Sequence, residues 1–346
     1  MCKRVLKVIL FFIILSTQAY GQKTIVGKVL NKTTHEPIPY ANIGILGSNI
    51  GTISNPDGSF SILIPEHLIG ETLFFTSLGF FEKGLDLDSL LLKKDCTVFL
   101  NEKAIMLQPV LISAMAKKHK DFEIGNFENP VSIYEPDTVY AGRAIALLIE
   151  GKNFPKGATF PVTIKKASLY IQSNNFETFK FRVRINKYDS LTCQPGEDLL
   201  TQSIIVESDI YNGWLDFDLS NAHIISNGPF FITFEHLLDI EDRTAIAVSF
   251  RDIKHHPEWF KTDTVLVDNK KVITKEFALN GKGLPGTYIG ISKSKSALKK
   301  YTCFVRQTSM GEWRKVPMAI TASVKVNAPI GQTPEKPKEA VVLEMR

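Results

Sequence analysis

The chain is poor in the residues that most often carry chemistry or covalent bracing. Its 346 residues include 4 cysteines, 7 histidines, 6 methionines and 3 tryptophans. The cysteines (Cys2, Cys96, Cys193 and Cys303) lie far apart with no CxxC pair, which argues against a redox dithiol or a cysteine-rich zinc site. There is no GxSxG elbow to present a nucleophilic serine. Charge of one sign is also missing: 41 basic residues face 36 acidic ones. The densest basic stretch, Lys293, Lys295, Lys299 and Lys300, reads as a solvated loop rather than the concentrated basic face that nucleic acid requires. Beyond the first twenty residues no apolar run is long enough to span a bilayer, so no transmembrane segment is expected in the mature chain.

What is abundant is phenylalanine, at 23 residues, in a chain that is 44% hydrophobic and 22% charged. That balance supports a packed core and suits half-buried pleated surfaces. The N-terminus has the pattern of a secretory leader. Lys3, Arg4 and Lys7 are followed by the apolar run Val8–Leu15, then by Ala19-Tyr20-Gly21, with cleavage expected between Gly21 and Gln22. Three basic residues leave with that leader, so the rest of the chain is nearly neutral. The reading implies export to the periplasm, the outer membrane or the cell surface, and Cys96, Cys193 and Cys303 are expected to be mostly buried thiols.

Beyond the leader, turn signals recur every 8 to 12 residues or so between alternating apolar runs, the pattern of an all-β chain. Strands are predicted over Thr24–Leu30, Ala41–Leu46, Phe60–Ile64, Thr72–Ser77, Thr97–Leu100 and Val110–Ser113, with one short helical turn within Asp86–Lys94. Asn55-Pro56-Asp57-Gly58 is a strong turn: proline fixes φ, aspartate caps, and glycine takes the positive-φ position. The lysine-rich stretch after Ser113 marks a boundary. Ten further strands are predicted between Arg143 and Val326, among them Phe179–Tyr188, Trp214–Leu219, Phe230–His236 and Thr244–Phe250. The expected organisation is a leader at 1–21, a seven-stranded sandwich at 22–113, a linker at 114–126, a larger sandwich or jelly roll at 127–326, and a disordered proline-bearing tail at 327–346.

The first domain resembles the carboxypeptidase-regulatory-like family of transthyretin-like sandwiches, common in exported Bacteroidetes proteins. The residues that carry the likeness are Ile25–Val29, Glu36–Ile43, Gly51–Phe60, Leu73–Phe80 and Pro109–Ile112. Within them Gly27, Pro39, Ala41, Gly51, Asp57, Gly58, Phe60 and Gly79 are read as fold-determining positions. Ser54 stands where the family often has aspartate. The resemblance implies an accessory, non-catalytic domain with no cofactor. The second domain is similar, more loosely, to jelly-roll domains of other exported proteins, over Phe179–Asp189, Gln194–Leu200 and Gly213–Leu219.

Two constellations remain. His255-His256-Pro257-Glu258 has the local spacing of a zinc carboxypeptidase, but no histidine follows His256 and Pro257 opposes a helix, so no metal site is expected. The other is a strand face. In Trp214–Leu219, Trp214, Asp216 and Asp218 share one side, and in Phe179–Tyr188, read as a neighbouring strand, Arg182 and Arg184 share the outward side. An indole ring beside carboxylates is a platform for a sugar, whereas cross-strand charge pairing is the alternative. The expected function is a non-catalytic binding or assembly protein of the cell envelope with an envelope protein or glycan as partner; the alternatives are a carbohydrate-binding module and an uncharacterised hydrolase.

Overall fold

Two strands pair in parallel near the start of the chain, and this pairing organises the first domain. The computed structural model describes residues 22–93, 95–103, 118–130, 132–134, 141–244, 246, 260–267, 270–277 and 286–330. The leader, Val110–Ser113, His255–Glu258 and residues 331–346 of the expected tail lie outside them. The first domain contains β1 (Gln22–Asn31), β2 (Asn42–Gly44), β3 (Gly51–Ile53), β4 (Ser59–Pro65), β5 (Thr72–Thr76), β6 (Lys83–Asp86), the short helix α1 (Leu87–Leu91) and β7 (Cys96–Leu100). These strands form a three-stranded sheet, β4-β1-β7, and a four-stranded sheet, β3-β2-β5-β6. Here β1 runs antiparallel to β4 and parallel to β7.

Local chemistry explains the turns. Gly58 has φ +75°, and its N–H donates to Asn55 O at 2.9 Å. Asp57 Oδ1 accepts from Ser59 N–H at 3.0 Å. The chain then enters β4 with Phe60, Ile62 and Ile64 inward, Phe60 lying edge-to-face on Phe75 at 5.5 Å. Asp86 caps α1 by accepting from Ser89 N–H. Between the sheets lies one core that includes Val29, Ile43, Ile64, Leu73, Phe75 and Val98. Ser54, fully buried, is a strut: its hydroxyl donates to Ile38 O at 2.7 Å and accepts from Ala41 N–H at 2.8 Å.

The second domain is a two-layer antiparallel sandwich. Its strands are β8 (His119–Asn126), β9 (Ser132–Tyr134), β10 (Ala144–Ile149), β11 (Val162–Asn174), β12 (Phe179–Tyr188), β13 (Pro195–Asp198), β14 (Ile204–Ser208), β15 (Gly213–Asp218), β16 (Ile224–Ser226) and β17 (Phe230–His236). They are followed by β18 (Phe260–Val267), β19 (Lys270–Phe277), β20 (Thr287–Ser292), helix α2 (Lys295–Lys300), β21 (Cys303–Arg306), β22 (Arg314–Val316), β23 (Ala319–Ile320) and β24 (Ala322–Pro329). One sheet runs β13-β12-β17-β10-β21-β22, with β14 also on β12; the other runs β23-β20-β11-β24-β8, with β15 and β16 on β11 and β9 on β20. Strands β18 and β19 form a separate hairpin. The two inner faces meet in a core built from residues such as Leu147, Ile171, Val183, Phe217, Ile232 and Val324. The all-β expectation therefore holds, with a sandwich in each domain.

Three boundaries differ from the sequence reading. Residues 119–126, expected in the linker, are strand β8, paired with β24 from Asn126↔Ala322 to His119↔Pro329. The stretch is polar because β8 is an edge strand, and charge on an edge discourages pairing with other chains. For the same reason Asn327–Pro329 belong to β24 rather than to the tail. Thr244, expected to begin a strand, is helical, as are residues 240–243 and Ile246.

Candidate functional site

The outer faces of the second sandwich have different fates. On the β12 side, alternation points Arg182, Arg184 and Glu235 away from the core. Around Arg182 this face is covered by the first domain, and around Phe231 by Tyr188 and Trp313. Arg182 is fully buried, donating from Nη1 to Tyr40 O at 2.8 Å and from Nη2 to Asn42 Oδ1 at 2.7 Å, both on the first domain. It also forms a bidentate pair with Glu235, at 2.9 and 3.2 Å. Arg184 Nε donates to the same carboxylate at 3.0 Å and its Nη1 to Asp198 at 3.1 Å, while Arg306 Nη2 approaches Glu235 at 3.7 Å. Arg306 also lies over the Trp313 ring at 4.9 Å.

Burial alone would raise the Glu235 carboxyl; the charges of Arg182, Arg184 and Arg306 outweigh it and hold it at about 2. Around this ionic knot, Tyr40 and Ile53 of the first domain pack with Ala141 and Leu237 of the second. Arg243 Nη1 donates to Thr52 Oγ1, Ser309 Oγ to Thr52 O, and Gly47 N–H to Met310 O. Two glycines of the family motif belong to the same seam. A β-carbon on Gly51 would sit 3.0 Å from Thr308, and Gly79 lies beside Thr201 O.

Arg182 and Arg184 are thus not ligand residues on an open face, and they are not beside Trp214. Strand β15 pairs with β11 in the opposite sheet, with Tyr170↔Trp214 and Ser168↔Asp216 in register. Sequence alternation gives the side of a strand on which a residue lies, but not whether water or another domain covers that side.

On the β15 side the predicted group is exposed together. Trp214 is 40% exposed, and Asp216 and Asp218 alternate with it into solvent, while Leu215 and Phe217 enter the core. Trp214 meets Tyr170 edge-to-face at 5.3 Å and Phe127 at 6.0 Å. Phe127 follows β8 and is 51% exposed. Around the rings, polar groups are fixed. Tyr170 Oη donates to Asn212 Oδ1 at 3.1 Å, and Asn212 Nδ2 donates to Ile171 O and Gln172 O. Asp216 accepts from Lys166 Nζ at 2.9 Å and Ser168 Oγ at 2.6 Å. Asp218 accepts from Ser220 N–H, and hydrogen bonds from Ser220 hold its carboxyl below the usual range. The sequence reading missed Phe127 and Tyr170: Phe127 is more than forty residues from either ring and meets Trp214 only through strand order.

A second surface is an open trough of about 620 Å³ on the first domain, lined by Lys32, His35, Phe81, Glu82, Lys83, Phe99 and Asn101. Its charges are mixed, and Lys83 Nζ is engaged with Phe99 O. Among the described residues no group of three His, Cys, Asp or Glu side chains could hold a metal ion, and no helix is long and apolar enough to cross a membrane. Cys96 and Cys303 are buried, the Cys303 thiol pushed up to about 12 by burial, and Cys193 is exposed.

These features define an all-β protein in which a smaller sandwich packs on one face of a larger one. Residues 25–112 match the CarboxypepD_reg-like domain, and the first sandwich is a domain of that family. No curated protein matches the chain. Among solved structures, the chain is similar to the cysteine protease and lectin-like domains of Cwp84, a surface layer associated protein of Clostridium difficile, at 9% identity and a TM-score of 0.30, over 83% of this chain and 58% of that one. It is also similar to infectious bursal disease virus structures of the Gx strain (9% identity, TM-score 0.22, 90% of this chain and 60% of that one) and the Gt strain (10%, 0.22, 92% and 66%). The chain thus spans about three fifths to two thirds of the length of these structures.

Proposed function

We propose that this chain is an exported, non-catalytic binding and assembly protein of the cell envelope, working in the periplasm or at the outer membrane. One observation carries the reading: the first domain is locked to one outer face of the second sandwich, while the opposite outer face presents solvent-exposed aromatic rings. Leu215 and Phe217 point inward to the shared core from one sheet, Phe234 and Ile232 from the other. Trp214 and Glu235 therefore point in opposite directions. Such a molecule suits holding two things apart at a fixed distance, one on each side. The leader pattern at residues 1–21 supports export, and the small charge imbalance of the remainder favours neither nucleic acid nor an anionic membrane as partner.

The test is photo-crosslinking in the producing cell from residue 127 on the aromatic face and from residue 24 on the first domain, combined with cell fractionation. The expected result is recovery in the envelope fraction with a discrete adduct from at least one position. Residence of the uncleaved chain in the cytoplasm, or the absence of any adduct from both positions, would refute the assignment.

A further inference from the structure

Resting on that reading, we propose that the aromatic face of the second sandwich is a binding site for a neutral glycan, with a pyranose ring seated on Trp214 and Phe127 and its hydroxyls taken by Asn212 and Asp216.

Register builds the site. Tyr170 pairs with Trp214 on one side, and its N–H donates to Thr321 O on the other; Phe127 lies beyond, at the end of β8. The row thus runs from β15 across β11 to the residue that follows β8, where the Phe127 ring reaches the indole at 6.0 Å. Two large rings left in water, beside charged side chains such as Lys166 and Asp216, form an apolar patch with a polar rim, the usual mark of an interaction site. Held edge-to-face by Tyr170, the indole is braced in place before any ligand arrives.

The rim decides the ligand class. Asn212 is fixed by three hydrogen bonds, and Asp216 by Lys166 and Ser168, so their remaining acceptor positions are already oriented. Asp216 lies two residues along β15 from Trp214 and on the same face, roughly 7 Å away. A pyranose has an apolar C–H face and a perimeter of hydroxyls, and it matches rings beside fixed acceptors. The face carries no net positive charge: Lys166 pairs with Asp216, both Lys165 and Lys325 approach Asp121, and Asp218 supplies a third carboxylate against these three cations. An anionic lipid surface or a polyanionic chain would find no excess of positive charge there.

The experiment is titration calorimetry of residues 22–346 with cello-, manno-, xylo- and chito-oligosaccharides, run beside polygalacturonate and vesicles of phosphatidylcholine and phosphatidylglycerol. Saturable binding of a neutral oligosaccharide is expected. It should weaken at least tenfold in Trp214→Ala and in Phe127→Ala, and severalfold in Asp216→Asn, with the melting temperature of each variant close to that of the parent. Absence of binding to all four sugars, equal binding by Trp214→Ala, or binding to the vesicles or polygalacturonate alone would overturn the inference. An envelope adduct at residue 127 that contains protein and no sugar would overturn it too, while leaving the assembly reading in place.

Discussion

Glu235 has no contact with water and lies within hydrogen-bond or ion-pair range of three guanidinium groups. Removing its charge leaves Arg182, Arg184 and Arg306 facing one another with Asp198 as their counter-ion among the described residues. Glu235→Gln is expected to destabilise the protein by roughly 3–5 kcal/mol, a loss on the order of 10 °C in Tm, measurable by thermal denaturation. A few ångströms away, His236 is buried and stacked on Phe181 at 4.6 Å, with neither ring nitrogen hydrogen-bonded among the described residues. Burial pushes its imidazole down to about 3. The folded state thus keeps His236 neutral where the unfolded chain takes up a proton. Its contribution to stability is full above about pH 6.5 and is lost as the pH falls through 3, at up to about 1.4 kcal/mol per pH unit. Glu235 adds a loss of the same sign between about pH 4.5 and 2. His236→Phe removes the titrating imidazole and should flatten the upper part of this slope in denaturant titrations at pH 7, 6 and 5. An unchanged slope would mean that another group sets the acid response. The identities of these residues could be read in the sequence, but their burial could not, because Tyr40 and Asn42, which cover Arg182, lie more than 130 residues earlier.

At the scale of strands, two signals in the sequence were more informative than alternation alone. In β17 both faces are apolar or buried, with Phe231 and Thr233 outward and Phe230 and Ile232 inward; a strand apolar on both sides is covered on both sides. That pattern marks the face of β12 and β17 as covered. It could have redirected the reading of Arg182 and Arg184 from ligand residues to a seam. Strand β8 shows the converse: its outward charges made a sheet edge look like a linker. The family motif was legible because its glycines meet backbone. A β-carbon on Gly27 would sit 1.9 Å from Cys96 O, where β1 and β7 run side by side, and backbone cannot yield as a flexible side chain can. Gly27→Ala is expected to cost about 3 kcal/mol or more. Gly151→Ala, with nothing within 4 Å, should be close to neutral. Chemical denaturation of the pair checks this, and equal midpoints would contradict the close β1–β7 approach.

For the molecule as a whole, the seam makes one cooperative body from two sandwiches. Its polar half joins Arg182 to Tyr40 and Asn42, and its apolar half joins Tyr40 and Ile53 to Leu237. Calorimetry of residues 22–346 should therefore show a single transition. Arg182→Ala should split it into two by removing the link while leaving each core intact. Two transitions in the unaltered protein would mean the seam is too weak to couple the domains. The all-β character and the strand side that Trp214 shares with Asp216 and Asp218 were visible in the primary structure; the docking of one domain on the other was not, since no local pattern encodes which distant surface will cover a strand.

The pairing of β8 with β24 also has a consequence in time. Asn126 Nδ2 donates to Ala319 O, 193 residues further on. A chain made at about 5–20 residues per second exposes β8 for on the order of ten seconds or more before its partner exists. During that interval β11 lacks β20 and β24, the neighbours that close its sheet. Folding of this domain is therefore a late event, completed only once β24 has been made, and the newborn chain depends on being kept from its own kind until then.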